Sequence, residues 1–360
     1  MKPTRKVYLD YLRLIATLFV ICGHTISLAE SLVEQESVAH RVLELAFFLF
    51  PSCNLLFVMI SGALLLPMRD ERVGAFFCRR FVKVLVPMLV YYFLYVCAKY
   101  GLACLLPGNL PFMFQRLVAG AADEVPHFWL VFVILQLYLL TPVFRWIVAH
   151  ISDSVLYGVI LVVFLVHTLD TYLPLFGLNA HLSVFVDSFA GVFLLGYFLS
   201  APHGEYAKSR RTENVFLACG VISWILSCLI ILVWDDYGGY VYYNAPTMLF
   251  IASALFLGTK RATAGSDVTP YVVRLVGKYS YSILLIHWGV LHFVVKDVLG
   301  VDVLGGGIVG GCLLMIVLTF AISLAGAVVI DNTLIRLIQK LLDWIGRLFA
   351  QIVKRVGHRG

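Results

Sequence analysis

Ten runs of apolar residues, at approximately 8–29, 44–67, 81–106, 127–148, 154–172, 184–200, 214–234, 244–258, 279–299 and 306–330, leave this chain few ways to fold. A helix needs roughly 17–25 apolar residues to cross a bilayer, and most of these runs reach that length, the eighth being short and the sixth marginal. Composition points the same way. Of 360 residues, 61% are hydrophobic and 13% charged, where a soluble domain has about 45–50% and about 25%. The expected fold is all-α: a polytopic integral membrane helix bundle of about ten transmembrane helices plus a C-terminal amphipathic helix.

Lys and Arg set the orientation. With the amino terminus placed in the cytoplasm, 22 of the 27 basic residues fall in inside loops or the tail and 4 in outside loops, while Arg13 is intramembrane. That bias predicts an even number of spans with both termini cytoplasmic. The net charge of +6 is then a matter of topology and implies no nucleic-acid partner. Asp10 and Arg13 interrupt the apolar core that a cleavable signal peptide would need, although Ser27-Leu28-Ala29 resembles a cleavage site. Eight cysteines without CxxC spacing indicate neither a disulfide framework nor a zinc site. The chain divides into a transmembrane domain, 1–332, and a basic cytoplasmic tail, 333–360. The tail repeats Leu334, Ile338, Leu341, Ile345, Leu348 and Ile352 on one helical face, a pattern suited to lying on an anionic leaflet.

The first run carries charge where an anchor should carry none: Asp10, Arg13 and His24. A charged side chain near the centre of a membrane helix costs at least about 2.5–3.5 kcal/mol and persists where it faces a bundle interior, a partner or water. At 100° per residue the three fall within about 60° of one another, on one face. Asp10 and Arg13 are spaced to pair. Arg13 and His24 stand roughly 16 Å apart along the axis, so they bracket a passage and do not touch. An Asp–Arg bridge that fixes the helix and a histidine bonded in the core would be the purely architectural reading.

Other polar residues interrupt later runs. Asn54 and Ser61-Gly62 lie in the second, His127 and Trp129 open the fourth from outside, and His287 sits within the ninth. Arg79, Arg80 and Lys83 crowd the start of the third, where they satisfy the positive-inside bias and would also dock a phosphorylated cytoplasmic ligand.

In order, these segments resemble the membrane-bound acyltransferase 3 family of bacterial acyl transferases. The resemblance runs from Tyr-Leu-Asp10-Tyr-Leu-Arg13 and His24-Thr through Phe-Val-Met-Ile-Ser61-Gly62. It continues in His127-Phe-Trp129 with Tyr138 and Thr-Pro142, and ends in Ser-Ile-Leu-Leu-Ile-His287. It covers nearly the whole chain and is nearest to members that stand alone, without a fused extracytoplasmic domain. Two departures stand out. Leu284 replaces a tyrosine frequent in the family, and Lys83 stands where the family has the second arginine of a pair, which keeps the charge and loses bidentate geometry.

The resemblance implies an O-acetyltransferase of the bacterial inner membrane with acetyl-CoA or another acyl-CoA as co-substrate, no metal, and a glycan or lipid-linked saccharide as acceptor. Under it, His24 is the general base, with Asp10, Arg13 and His287 as further catalytic candidates. Arg13, Arg79, Arg80 and Lys83 would contact the acyl-CoA, and Asn54, Ser61, His127 and Trp129 the acceptor. A proton-coupled transporter or flippase would also employ buried Asp, Arg and His. The absence of visible inverted repeats and the clustering of charge in one run count against it.

Overall fold

The computed structural model describes residues 6–35, 37–67, 71–119, 125–178, 188–200, 209–234, 238–242 and 245–357, without the side chains of 188, 239 and 349–357. Of the basic residues used for orientation, Lys2, Arg5, Arg69, Lys208 and Arg359 lie outside the described residues, as do the side chains of Lys354 and Arg355. The principal helices are α1 Val7–Glu30, α2 Val38–Phe47, α3 Ser52–Leu65, α4 Val73–Tyr100, α5 Leu110–Val118, α6 Trp129–His150 and α7 Asp153–Tyr172. They continue as α8 Ser188–Ser200, α9 Arg210–Val233, α10 Pro246–Ala262, α11 Tyr271–Gly289, α12 Ile308–Ile330 and α13 Arg336–Gly357. No strand occurs among the described residues.

The chain is thus an all-α polytopic bundle. Eight described helical segments are long and apolar enough to cross a membrane. The sixth and eighth apolar runs form shorter helices, Phe189–Ser200 and Pro246–Ala262. Large apolar side chains on α9 (Val221, Ile222, Ile225, Leu229) and α12 (Leu313, Leu314, Val317) are exposed, as a surface solvated by lipid requires.

Helix α1 is central and packs against α2, α3, α11 and α12. Its sequence explains the position: the face bearing Asp10 finds polar groups only inside the bundle. At the far end of α1, His40 of α2 reaches Glu30 of α1, while within α2 His40 and Arg41 both approach Glu44.

Two local features differ from a plain reading of hydropathy. The second run is not one helix. It breaks over 48–51, where Pro51 cannot donate a backbone hydrogen bond and precedes the new start at Ser52. The last run does not stop at 330, because α12 passes through a π-helical turn, Asp331–Ile335, directly into α13. At the α3–α8 crossing, a methyl group on Gly62 would collide with the backbone of Phe193, so this glycine sets how closely the two helices approach.

Candidate active site

Three spans deliver one histidine each to a common point. His24 comes from the C-terminal half of α1, His287 from near the end of α11, and His127 from the 3-10 turn Pro126–Phe128 that opens α6. The His24 and His287 rings lie 5.1 Å apart between centroids, as do those of His127 and His287. His287 is fully buried and His127 nearly so, while His24 is partly exposed. From sequence His24 and His287 are separate candidates, in the first and ninth apolar runs. They belong to one centre.

Backbone carbonyls fix two of the tautomers. The Nδ1 of His287 lies 2.8 Å from the Leu284 carbonyl and 3.2 Å from that of Ile283. Carbonyls only accept, so Nδ1 carries the proton and Nε2 is bare. The Nε2 of His127 lies 2.9 Å from the Leu285 carbonyl, which by the same logic leaves its Nδ1 bare. Both bare nitrogens are buried and have no hydrogen-bond partner.

The Leu285 carbonyl has a second lone pair to offer His127. Beyond it the helix turns π from Val290 to Val298, and Gly289 N–H donates to Tyr95 Oη at 2.8 Å. The Tyr95 hydroxyl donates in turn towards the carbonyls of Leu285 and Ile286, each at 3.1 Å. A methyl on Gly289 would strike the Tyr95 ring. π segments within α-helices are frequent at functional sites, and this one begins three residues after His287. Trp288 stacks on His127 with planes 19° apart. Tyr95, Trp288 and Gly289 were not among the residues singled out from sequence. The one available signal was a tyrosine, Tyr95, inside an apolar run.

The histidines border a cavity of about 600 Å³, within the usual range for small-molecule sites. Its wall includes Ser27, Asn54, Trp129 and Tyr242, with Phe47 and Phe50 contributed by the break before α3. Asn54 and Trp129, both expected to meet an acceptor, therefore share the cavity with His24, His127 and His287. Ser61 does not line it; its hydroxyl donates to the Phe57 carbonyl at 2.9 Å.

The basic residues gather at the other end of the bundle, and most are engaged by the protein itself. Arg13 pairs with Asp10 at 3.0 Å, and Asp10 also accepts from Thr269. Glu71, in the α3–α4 connection, pairs with Arg79 and, at 3.0 Å, with Arg145. Arg145 is buried, donates to the Leu65 carbonyl at 2.6 Å and lies over the Phe76 ring. Burial pushes the Glu71 carboxyl up, but the Arg145 hydrogen bond and the charges of Arg145, Arg79 and Arg80 outweigh it and hold it below the usual carboxylate range. Arg80 and Arg13 both lie within electrostatic reach of the Tyr138 hydroxyl, so α1, α4 and α6 converge here. Lys83 is exposed.

Fold and site together define a multi-pass membrane protein with a histidine centre walled by aromatic residues and a separate basic end. The sequence model of an acyltransferase domain, that of the acyltransferase 3 family, matches residues 6–331, and the chain belongs to that family. It is an acyltransferase. No curated protein and no solved structure matched the chain.

Proposed function

We propose that the protein moves an acetyl group from cytoplasmic acetyl-CoA to a hydroxyl of a cell-envelope glycan or lipid-linked saccharide, in the bacterial inner membrane with both termini cytoplasmic. The observation that carries this reading is the position of a partly exposed histidine, His24, on a cavity remote from the basic end. Phosphates of the donor would be held at the basic end by Arg80, with Arg13, Arg79 and Lys83 adding to the field that attracts them. The extended pantetheine arm would then bring the thioester through the bundle to His24.

At the cavity the acceptor hydroxyl gives its proton to a bare nitrogen of His24 as its oxygen attacks the thioester carbonyl. Collapse of the tetrahedral intermediate breaks the C–S bond, and the proton on His24 passes to the leaving thiolate. Atoms balance: an alcohol and a thioester become an ester and a free thiol. A neutral imidazole suits this role because its ordinary pKa lies close to neutrality. The flat faces of Trp129, Phe47, Phe50 and Tyr242 would pack against a sugar ring, and Asn54 would supply a polar contact to fix its orientation.

The test uses membranes carrying the full chain and acetyl-CoA labelled in the acetyl group. Label should appear in a glycan or lipid-linked fraction with release of free coenzyme A, and His24→Ala should stop both while protein levels hold. Full transfer by that variant would remove His24 as base. Glycan movement across the membrane without coenzyme A release would favour a transport role.

A further inference from the structure

His287 is fully buried, so it cannot be the group an acceptor first meets, yet it is the most completely oriented ring in the centre. We propose that His287 is a positioning residue: its bare Nε2 accepts a hydrogen bond from His24 and shares the proton that His24 takes from the acceptor. The inference rests on the acyl-transfer reading above and adds a second imidazole to it.

The argument is one of donors and acceptors. His287 Nδ1–H is held by two carbonyls and His127 Nε2–H by a third, so these rings face their surroundings with bare nitrogens only. Two bare nitrogens cannot bond each other. His24 is the neighbouring ring able to donate, and its centroid lies 5.1 Å from that of His287. At that spacing, ring nitrogens turned towards each other stand at a normal hydrogen-bond length of about 2.9 Å. A His24 N–H directed at His287 leaves its other nitrogen bare for the acceptor hydroxyl, the tautomer a general base needs.

When His24 becomes imidazolium, the second proton lies between His24 and His287. If it crosses, His287 carries the charge with Nδ1–H still on the Leu284 and Ile283 carbonyls, whose partial negative charge stabilises it. The proton returns by the same path to the departing thiolate. The groups facing His287 are His24 from α1, His127 from the turn before α6, and Tyr95 from α4; His292, one turn further along the same helix, acts on His24 and His127 at longer range. The carboxylates of Asp10 on α1 and of Asp331, in the π turn after α12, meet Gly277 and Ser282 of α11, lower in the bundle.

Two measurements test the relay. Imidazole 15N spectra of the histidine-labelled full chain in nanodiscs should show His287 protonated at Nδ1, with an Nε2 resonance that shifts in His24→Ala. An Nε2-protonated His287, or an Nε2 signal indifferent to His24, overturns the proposal whatever reaction the protein performs. In the acyl-transfer assay, His287→Leu should lower kcat at least 100-fold and move the acid limb of its pH profile to lower pH. His287→Gln, whose amide oxygen can accept in place of Nε2, should recover at least tenfold of that loss. A raised KM with kcat and acid limb unchanged in His287→Leu overturns the relay and leaves the functional reading standing. Wild-type protein that transfers no acyl group defeats the functional reading instead.

A different observation carries a second inference. Cys97, near the end of α4, and Cys104, in the 3-10 turn Leu102–Leu105, hold their Sγ atoms 3.5 Å apart. Both lie at the end of α4 opposite its basic start, which the proposed orientation places outside the cytoplasm, where disulfides persist. We infer that the two thiols form a disulfide there, each losing a proton and one electron to a disulfide-exchanging oxidant of that compartment. Cells lysed into denaturant with a mass-tagging maleimide should yield six tagged thiols without reductant and eight after reduction, with Cys97→Ser giving seven under both conditions. Eight tags on the unreduced wild type would overturn it.

Discussion

The two ends of the bundle treat their polar groups in opposite ways. At the basic end charge meets charge: Asp10 holds Arg13, and Glu71 holds both Arg79 and Arg145. In the histidine centre each oriented ring has one nitrogen satisfied and the other bare in a buried setting. A buried polar group without a partner is costly, so an arrangement that leaves two side by side makes sense where a proton or a ligand completes them. Intramembrane charge is therefore a poor guide to chemistry in this chain. Much of it is architecture, and the proposed chemistry falls to the imidazoles.

The largest effect expected from this contrast is at His24. Removing a general base typically costs 10²–10⁴-fold in rate, so His24→Ala should lower transfer by at least about 100-fold while the melting temperature in detergent stays at the wild-type value. A variant that loses activity and melts early in parallel would break the contrast, because the histidine centre would then be structural as well.

At the other end the signature should reverse. Glu71→Gln leaves buried Arg145 with the Leu65 carbonyl and without its counter-charge. Hydrogen bonds to charged groups contribute about 1.5–3 kcal/mol, so the variant should melt earlier. Its KM for acyl-CoA should rise, through misplacement of α4 and α6, and kcat at saturation should hold. The same pair predicts a pH dependence. Because the folded Glu71 carboxyl sits below its unfolded value of about 4.3, its contribution is fully present above that value and is lost as pH falls through the folded pKa. Wild-type thermal stability should therefore drop in acid by more than that of Glu71→Gln. Equal drops would show that Glu71 is not the group that titrates.

Much of this was legible beforehand, for reasons particular residues show. The apolar runs are helical wherever described, the second as two helices, because hydropathy over some twenty residues outweighs local detail. The shared face of Asp10, Arg13 and His24 followed from helical geometry, and the Asp10–Arg13 pair from three-residue spacing. The break at Pro51 was lost in the same averaging that found the run. The meeting of His24, His127 and His287 was hidden for a deeper reason: contacts between helices more than a hundred residues apart leave no periodic trace in one sequence. Tyr95 was harder still, since its role depends on the backbone carbonyls of Leu285 and Ile286, far away in sequence, which no periodicity records. Arg145 counted in the sequence only towards topology and Arg79 also towards acyl-CoA, and their partner Glu71 was overlooked because a single acidic residue in a basic loop looks unremarkable until its neighbours converge.

The smallest effect, and the finest test of the contrast, is at Lys83. It is exposed, so it should not share the structural duty of the less exposed Arg145 and Arg13. An exposed charge contributes at most about 1 kcal/mol and is screened by salt. Lys83→Ala should then raise the KM for acyl-CoA by no more than about 5-fold, leave the melting temperature unchanged, and lose its effect at high ionic strength. Lys83→Arg sharpens the point. A guanidinium restores the bidentate geometry that a lysine lacks, so it should lower KM below the wild-type value if phosphates dock there. A Lys83→Arg protein indistinguishable from wild type would mean that Lys83 supplies charge alone, and that the donor's directional contacts come from Arg80 and its neighbours within the bundle.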